Sequence, residues 1–227
     1  MQRNVRFSIL LPAALLAATT LSAQERFDKV VRNDFFTGFA GNRENLARGM
    51  KKCEEILAAN PTHAEAMVWH GAGIFFESGV AARNKDFPKA MELYKRGLDE
   101  MAAAVALAPE NVGVLIPRGA SLLTASQGMQ GDGAKELLQT GLADYEKVYA
   151  LQKNYFDKLN GHARGELLFG LAEGYLRTGD QAAARQWFEK LAAVNDPENG
   201  HLTQAKAYLE SNKLEGSKTC AGCHVGQ

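Results

Sequence analysis

Proline recurs at long intervals along a chain that otherwise favours helices, and this recurrence constrains the fold more than any other feature. Pro61, Pro109 and Pro197 are separated by 48 and 88 residues, which fits units of about 44–48 residues. Ala, Leu, Lys and Glu dominate the composition, and alternating runs of Val, Ile and Thr are missing. Strands therefore have little support, and the sequence predicts an all-α protein built from repeated helical units.

The unit near residues 165–197 shows the helical pattern most clearly. Its core-type residues follow the order Leu168, Leu171, Ala172, Tyr175, Gly179, Ala184, Phe188, Leu191 and Pro197. This order resembles the tetratricopeptide repeat, W-x2-L-G-x2-Y followed by A-x3-F and P, with Leu168 at the Trp position. The resemblance implies hairpins of two antiparallel helices that stack into a solenoid.

Three other stretches carry parts of the same pattern. One copy begins with Trp69, Gly73 and Phe76 and continues with Ala90, Tyr94, Leu98 and Pro109, with extra residues between its helices. A second-helix fragment contains Gly49, Cys53, Ile56, Leu57 and Pro61, and residues 116–159 supply a further copy through Leu138, Leu142, Tyr145 and Tyr149. Residues 201–212 predict a final helix that covers the last exposed face. We therefore expect a tetratricopeptide-like helical domain over residues 24–212.

The last residues of the chain carry the strongest chemical signal. Cys220-Ala221-Gly222-Cys223-His224 is a C-x-x-C-H sequence, the attachment motif of c-type haem. Two thiols three residues apart form thioethers to the haem vinyl groups, and the histidine that follows becomes the proximal iron ligand. The sequence predicts one covalent haem c, with Cys220 and Cys223 binding the cofactor and His224 binding the metal, on a short tail of residues 213–227.

Other chemistries for this motif fit less well. A tetrahedral zinc site needs a fourth ligand and usually two separate ligand pairs, and the chain has no second C-x-x-C. A thioredoxin-type dithiol requires a βαβ context, and a structural disulfide leaves the adjacent histidine unexplained. The four-helix cytochromes c′ carry the motif near the C-terminus, but Gly216 and Gly222 and the repeat pattern set this chain apart from them.

The N-terminus indicates export. Arg3 and Arg6 precede an apolar run over residues 7–21, and Ser22 and Ala23 follow, which is the charged, hydrophobic and small-residue order of a secretory signal peptide. We expect cleavage after Ala23 and a periplasmic or extracellular protein. The run is shorter than the roughly 20 apolar residues that span a bilayer as a helix, so we expect no membrane span after cleavage; an uncleaved anchor is the alternative.

Charge and composition exclude some function classes. Without residues 1–23 the chain has 24 basic and 26 acidic residues, a formal charge of −2, so nothing favours binding to nucleic acid or to an anionic membrane. Hydrolase, phosphate-binding and zinc-protease motifs are missing from the sequence. We therefore expect that the protein is not an enzyme. Cys53, at a core position of its unit, is predicted to be a buried, unreactive thiol.

The sixth ligand of the iron stays open at this stage. The resemblance implies that a concave groove receives the first-helix positions Met67, His70, Ile74, Phe169 and Leu176. His70 in that groove is one candidate ligand. His63, His162 and His201 are others because all three lie in turns along one edge of the solenoid, and a methionine, another subunit or no ligand complete the choices. A tail that reached a neighbouring molecule would produce head-to-tail self-association.

Two functions remain. The first is a monohaem c-type cytochrome that exchanges single electrons with a redox partner protein or another cytochrome, with the repeat array as its docking scaffold. The second is a periplasmic adaptor whose groove binds other proteins and whose haem is a sensor or a structural element. A reversible one-electron couple with fast exchange favours the first, and an inert haem with tight peptide binding favours the second.

Overall fold

The computed structural model describes residues 26–214, and within that range the chain is helical and contains no strand. The helices, in chain order, are α1 Phe27–Phe39, α2 Arg43–Ala59, α3 Ala64–Arg83, α4 Phe87–Leu107, α5 Val112–Gln127, α6 Asp132–Gln152, α7 Gly161–Thr178, α8 Gln181–Ala193 and α9 Leu202–Ser211. A short 3-10 helix, Lys153–Lys158, continues α6. The predicted all-α class is confirmed.

Consecutive helices pack as hairpins. α1 pairs with α2, α3 with α4, α5 with α6 and α7 with α8, while α9 packs against α8. Neighbouring hairpins also touch, because α3 contacts α1, α2 and α5, and α7 contacts α5 and α6. A helix that is apolar along one stripe must cover that stripe with another helix, and here its partner in the hairpin and the next hairpin together provide the cover.

Polar side chains at the helix starts determine where the turns fall. The first backbone N–H groups of a helix have no partner inside the helix, and a short oxygen-bearing side chain at the N-cap accepts a hydrogen bond from one of them. In this chain Asn42, Asp86, Asn111, Asn160 and Asp180 do so for α2, α4, α5, α7 and α8. These residues begin the helices locally, before any tertiary contact is made.

A small residue in the second helix of each hairpin recurs in register. It is Gly49 in α2, Gly97 in α4, Gly141 in α6 and Ala184 in α8, and the residues four positions later are Cys53, Met101, Tyr145 and Phe188, all buried. A Cβ at Gly97 would lie 2.6 Å from the Phe75 nitrogen and 2.8 Å from the Gly71 oxygen. The absence of a side chain at Gly97 therefore lets the backbones of α3 and α4 approach closely.

This register corrects the expected place of the A-x3-F pair in the second unit. Ala90 and Tyr94, predicted for that place, are only half-buried, and Gly97 and Met101 occupy it instead. Pro109 then follows Gly97 by 12 residues, as Pro61 follows Gly49. The extra residues of this unit therefore all precede Gly97, where they lengthen α3 and α4 to 20 and 21 residues.

The buried apolar residues form two clusters. The N-terminal cluster joins α1–α4 and reaches α5 and α6 through residues such as Val114 and Leu137. The C-terminal cluster joins α5–α9. Trp69 and Phe188, predicted as core residues, are buried, while Phe76, Tyr94 and Tyr175 are half-buried.

Two predicted segments lie outside the described residues. These are the signal peptide, residues 1–23, and the tail from residue 215 onward with its C-x-x-C-H motif. Among residues 26–214 no helix combines the length and the apolar character needed to cross a bilayer.

Candidate functional site

The predicted haem ligands Cys220, Cys223 and His224 lie outside the described residues. The structure shows where the described chain ends, at Leu214. Helix α9 ends at Asn212, which adopts a left-handed conformation with φ 55°. The Arg185 guanidinium of α8 donates to the Leu209 carbonyl at 3.4 Å and to Asn212 Oδ1 at 3.1 Å. Leu214 packs against the C-terminal cluster. The tail therefore starts from a fixed point beside the N-terminal half of α8.

Hydrogen bonds between helices show at which end of the molecule the described chain stops. Asn111 Nδ2 donates to Glu65 Oε1 at 3.0 Å, which joins the starts of α3 and α5. Arg177, near the end of α7, donates to the Leu123 carbonyl and to Ser126 Oγ near the end of α5. Helices α3, α5 and α7 therefore run in the same direction, and Arg185 places the end of α9 beside the α7–α8 turn. We call this the tail end of the molecule and the opposite one the histidine end.

His201 lies at the histidine end and is almost completely enclosed. It immediately precedes α9 without capping it through its side chain, is 1 % exposed, and stacks on the Phe169 ring with centroids 4.0 Å apart and planes inclined by 7°. Its Nδ1 lies 2.7 Å from Gln204 Oε1 and its Nε2 lies 3.0 Å from Glu166 Oε1. Both ring nitrogens are therefore engaged within the fold.

The charge around His201 favours its protonated form. Burial by itself lowers the pKa of this imidazole, but the hydrogen bond and the charge of Glu166, with Gln204 and Glu173, outweigh burial and raise it above its ordinary value. The contribution to stability is complete below the ordinary pKa and is lost as the pH rises through the raised one. A histidine must be unprotonated at the ligating nitrogen to bind iron, so this environment opposes ligation.

His70 is the second enclosed histidine. It lies in the middle of α3 and is 7 % exposed; its Nδ1 is 2.6 Å from Glu100 Oε1 and its Nε2 is 3.6 Å from Glu54 Oε1. The ring is thus held between a carboxylate of α4 and one of α2. Helices α2 and α4 therefore cover His70, which does not lie in a surface groove.

The other predicted groove positions are also covered. Ile74 is 4 % and Phe169 is 5 % exposed, and Met67 and Leu176 are half-buried. Of the five predicted groove positions, His70, Ile74 and Phe169 are therefore buried, and only Met67 and Leu176 remain partly accessible. The ring of His201 covers the Phe169 ring, with centroids 4.0 Å apart.

The remaining two histidines lie at the histidine end, as predicted. His63 caps α3: its Nδ1 accepts a hydrogen bond from the Ala66 nitrogen at 3.1 Å, and its ring lies 5.0 Å from the ring of Phe27. His162 is the second residue of α7 and is half-buried. The tail starts at the other end of the molecule, so no histidine of the described chain lies beside the place where the tail leaves.

Cys53 is free and buried, which confirms the buried position predicted for it. Burial, followed by the charges of Glu100 and Glu54, raises the pKa of this thiol to about 12. A thiol reacts and binds metals as the thiolate, so burial and the raised pKa disfavour haem, disulfide and metal chemistry at Cys53. Cys220 and Cys223 are the two other thiols of the chain, and they fit the haem vinyl groups in number and spacing.

Exposed large apolar side chains lie at both ends of the described chain, and the sequence interpretation missed those at the tail end. Phe87 and Met91, one turn apart at the start of α4, are 66 % and 68 % exposed, and Met129 in the α5–α6 turn is 38 % exposed. A signal was present in the sequence, because Met129 stands in a turn between Gly128 and Gly131 and Phe87 precedes Pro88. These side chains leave apolar surface in contact with water, which is the kind of surface that proteins use for binding.

Comparisons with known proteins add no relative. No family model, no curated protein and no solved structure matches this chain.

Proposed function

We propose that this protein is an exported monohaem c-type cytochrome that transfers electrons through one haem c on its C-terminal tail. Cys220 and Cys223 hold the haem by thioether bonds, and His224 is the proximal ligand. The observation that carries the proposal is the C-x-x-C-H spacing at residues 220–224. The haem supplies the one-electron chemistry, and the chain binds it, orients it and presents it to a partner.

The helical hairpins form the scaffold in this proposal. The small residue that recurs at Gly49, Gly97, Gly141 and Ala184, with a buried residue four positions later, supports a tetratricopeptide-like array. Such arrays bind partners over extended surfaces. Because three of the five predicted groove positions are buried, the exposed side chains of the tail end are the surface on which we expect a redox partner or a neighbouring subunit to dock.

The inert Cys53 supports the proposal from another direction. Export through the signal peptide of residues 1–23 brings the chain into an oxidising compartment, where accessible thiols form disulfides. A third reactive thiol would compete with haem attachment by pairing with Cys220 or Cys223. Burial of Cys53 prevents that reaction because its thiolate is not formed and its sulfur is not accessible.

The first experiment measures covalent haem. The protein is produced together with a cytochrome c maturation system, denatured and weighed as an intact chain. We expect the mass of the polypeptide cleaved after Ala23 plus one haem, and loss of that haem in the Cys220→Ala, Cys223→Ala double variant. Cys53→Ala is the matched control, because it also removes a thiol and is expected to keep the haem. A wild-type mass equal to that of the bare polypeptide overturns the proposal.

The second measurement separates electron transfer from an adaptor role. A redox titration of the holoprotein is expected to show a reversible one-electron couple, with fast exchange to a partner cytochrome. The helical far-ultraviolet spectrum is expected to survive in the double cysteine variant, because the described hairpins pack on their own contacts. An inert haem together with tight peptide binding would favour the adaptor instead.

A further inference from the structure

Helix α4 has one side that the described part of the chain leaves open to solvent. The helix packs on α3 through its buried residues Gly97 and Met101. At 3.6 residues per turn, Glu92, Lys95 and Asp99 all lie within about 40° of the side opposite Gly97. Their side chains are 60, 76 and 64 % exposed. We call the side that carries these three residues the outer face of α4.

Apolar side chains border the outer face where the helix begins. Phe87 and Met91 are the two most exposed large apolar side chains among the described residues, and Met91 lies one turn before Lys95. An open depression of about 770 Å³ runs along the face, and its lining residues include Pro88, Met91, Glu92, Lys95, Arg96 and Asp99. Exposed apolar side chains with a polar border are typical of a surface that contacts another protein.

The charges along this part of α4 alternate in sign. From the N-terminus to the C-terminus the order is Lys89, Glu92, Lys95 and Asp99, with Arg96 as a second cation beside Lys95. Read in reverse, the same order places a negative charge opposite each positive one. The face is therefore complementary to itself when a second α4 helix runs antiparallel to the first. A parallel pair would place like charges against each other, which is unfavourable.

A twofold axis between Leu93 and Tyr94 produces this antiparallel register. Glu92 of one copy then lies opposite Lys95 of the other, and the symmetry repeats the contact. The axis also keeps the two copies of Met91 on the same side of the pair. They are about 8 Å apart along the helix direction at a rise of 1.5 Å per residue, so their long side chains can meet.

The existing ion pairs of the face do not oppose such a contact. Lys89 lies 3.0 Å from Glu92, and Lys95 lies 2.5 Å from Asp99, both within one exposed helix. Exposed pairs of this kind contribute little to stability, so their exchange for pairs between two copies costs little. Burial of the exposed apolar side chains supplies the attraction, and the charges select the orientation.

We propose that this protein forms a weak, reversible homodimer through the outer face of α4, with the two helices antiparallel and Glu92 of each copy paired with Lys95 of the other. One helix face is smaller than a standard interface of about 1,600 Å², so the dimer dissociates on dilution. The twofold symmetry closes the assembly at two copies. The proposal goes beyond the proposed function and is independent of the haem.

The test is sedimentation equilibrium of the full-length protein over a range of concentrations, with a reductant that prevents disulfides between copies. We expect a monomer–dimer equilibrium for the wild type. Lys95→Glu and Glu92→Lys each place like charges opposite one another, so each is expected to weaken association by about tenfold or more. Lys206→Glu is the matched control, because it makes the same change of charge at an exposed position of α9 and is expected to dimerise like the wild type.

Mixing the two single variants tests the register itself. One variant then presents two carboxylates and the other two cations, so Lys95→Glu and Glu92→Lys are expected to form a heterodimer with each other. The double variant Glu92→Lys, Lys95→Glu is expected to regain self-association. Met91→Gln keeps the charges and removes apolar surface, and it is expected to weaken the dimer.

The outcomes that overturn the proposal are distinct. A wild type that stays monomeric at the highest concentration refutes the dimer and leaves the face to a different partner. Single charge variants that dimerise like the wild type, or a mixture that forms no heterodimer, refute the antiparallel register. Loss of association in Lys206→Glu assigns the contact to another surface. Circular dichroism of each variant verifies that it is folded.

The mass measurement keeps the two proposals apart. A chain without covalent haem that still dimerises through α4 refutes only the proposed function. A monomeric chain that carries covalent haem refutes only the dimer.

Discussion

The hairpins α1–α2 and α5–α6 each have an ion pair between their two helices, but the positions of the acid and the base are exchanged. In α1–α2 the first helix carries the carboxylate, Asp34, which receives Lys52 Nζ at 2.7 Å. In α5–α6 the first helix carries the cation, Arg118, which binds Asp144 through two nitrogens at 2.6 and 2.7 Å. Lys52 and Asp144 both stand three residues after the small residue of their helix.

The two ion pairs differ in how exposed their cations are to solvent. Lys52 is 38 % exposed, and Arg48 provides Asp34 with a second cation, whereas Arg118 is 16 % exposed. Burial by itself would raise the pKa of both carboxyls. For Asp34 the hydrogen bonds from Arg48 and Lys52 outweigh burial and lower its pKa, while for Asp144 burial outweighs Arg118 and the pKa is raised. The two carboxylates are almost equally enclosed, at 6 % and 4 % exposed, so the opposite directions of their pKa accompany the second cation on Asp34 and not a difference in depth.

The largest expected effect comes from removing Arg118. Arg118→Ala leaves a carboxylate that is 4 % exposed without its cation, and loss of one partner of a buried pair costs about 3–5 kcal/mol. Lys52→Ala leaves Arg48 on Asp34, and a half-exposed pair contributes about 1 kcal/mol or less. Urea unfolding followed by circular dichroism measures both free energies.

A double variant tests whether the stability lost in Arg118→Ala comes from the unpaired carboxylate of Asp144. Arg118→Met with Asp144→Leu removes both charges, and we expect it to regain most of the stability because no lone carboxylate remains. Equal losses for Arg118→Ala and Lys52→Ala would contradict the difference between the two hairpins.

An effect of intermediate size is expected at the glycines. A Cβ at Gly141 would lie 2.9 Å from the Gly119 carbonyl oxygen and 3.1 Å from the Leu123 nitrogen, both backbone atoms. At Gly49 the nearest atoms are in the Phe35 ring, at 3.0 Å. We expect Gly141→Ala to lower the free energy of unfolding by about 2 kcal/mol and Gly49→Ala to lower it by less, because a ring can tilt and a backbone cannot.

Gly79→Ala is the control for the glycine substitutions. Its nearest neighbour would be the flexible end of Arg83 at 3.5 Å, so the gain in helix propensity, about 0.5–1 kcal/mol, is expected to raise stability. If Gly141→Ala also raised it, the close backbone contact of α5 and α6 would not limit packing.

The smallest effect is a pH dependence of opposite sign in the two hairpins. The lowered pKa of Asp34 gives stability that is present above the ordinary carboxyl pKa and is lost as the pH falls through the lowered value. The raised pKa of Asp144 makes its ionised form unfavourable to folding, so its contribution improves as the pH falls toward its ordinary value.

Unfolding between pH 6 and pH 3 measures this difference. The stability of the wild type relative to Asp34→Asn is expected to decrease as the pH falls, and its stability relative to Asp144→Asn is expected to increase. Changes of the same sign in the two variants would contradict the opposite directions of the two carboxyl pKa values.

Much of the helical order was predictable because its signals are local. The final helix was expected at residues 201–212 and spans Leu202–Ser211, and the break at Asn212 is a left-handed residue. Cys53 was expected to be buried because its helix repeats an apolar position. The register of α4 was not predictable: Ala90–Tyr94 and Gly97–Met101 both fit a small residue followed by a core residue, and only contact with α3 distinguishes them.

The candidate site also has one part that the sequence predicts and one part that only the fold decides. The C-x-x-C-H motif is a local pattern, so the thiols, the histidine and the expected haem follow from the sequence alone. The surroundings of the histidines do not. His70 and His201 looked like accessible ligands until α2, α4 and α7 placed Glu54, Glu100 and Glu166 against them.

Local chemistry thus determined that the chain is helical, where its helices begin, and which residues carry the haem motif. Tertiary structure decided which histidines are enclosed, which carboxyl pKa rises or falls, and at which end of the molecule the tail leaves. The physical reason is range. A capping bond or a thiol spacing acts within a few residues, whereas burial and charge pairing depend on helices that are far apart in the chain and meet only in the folded protein.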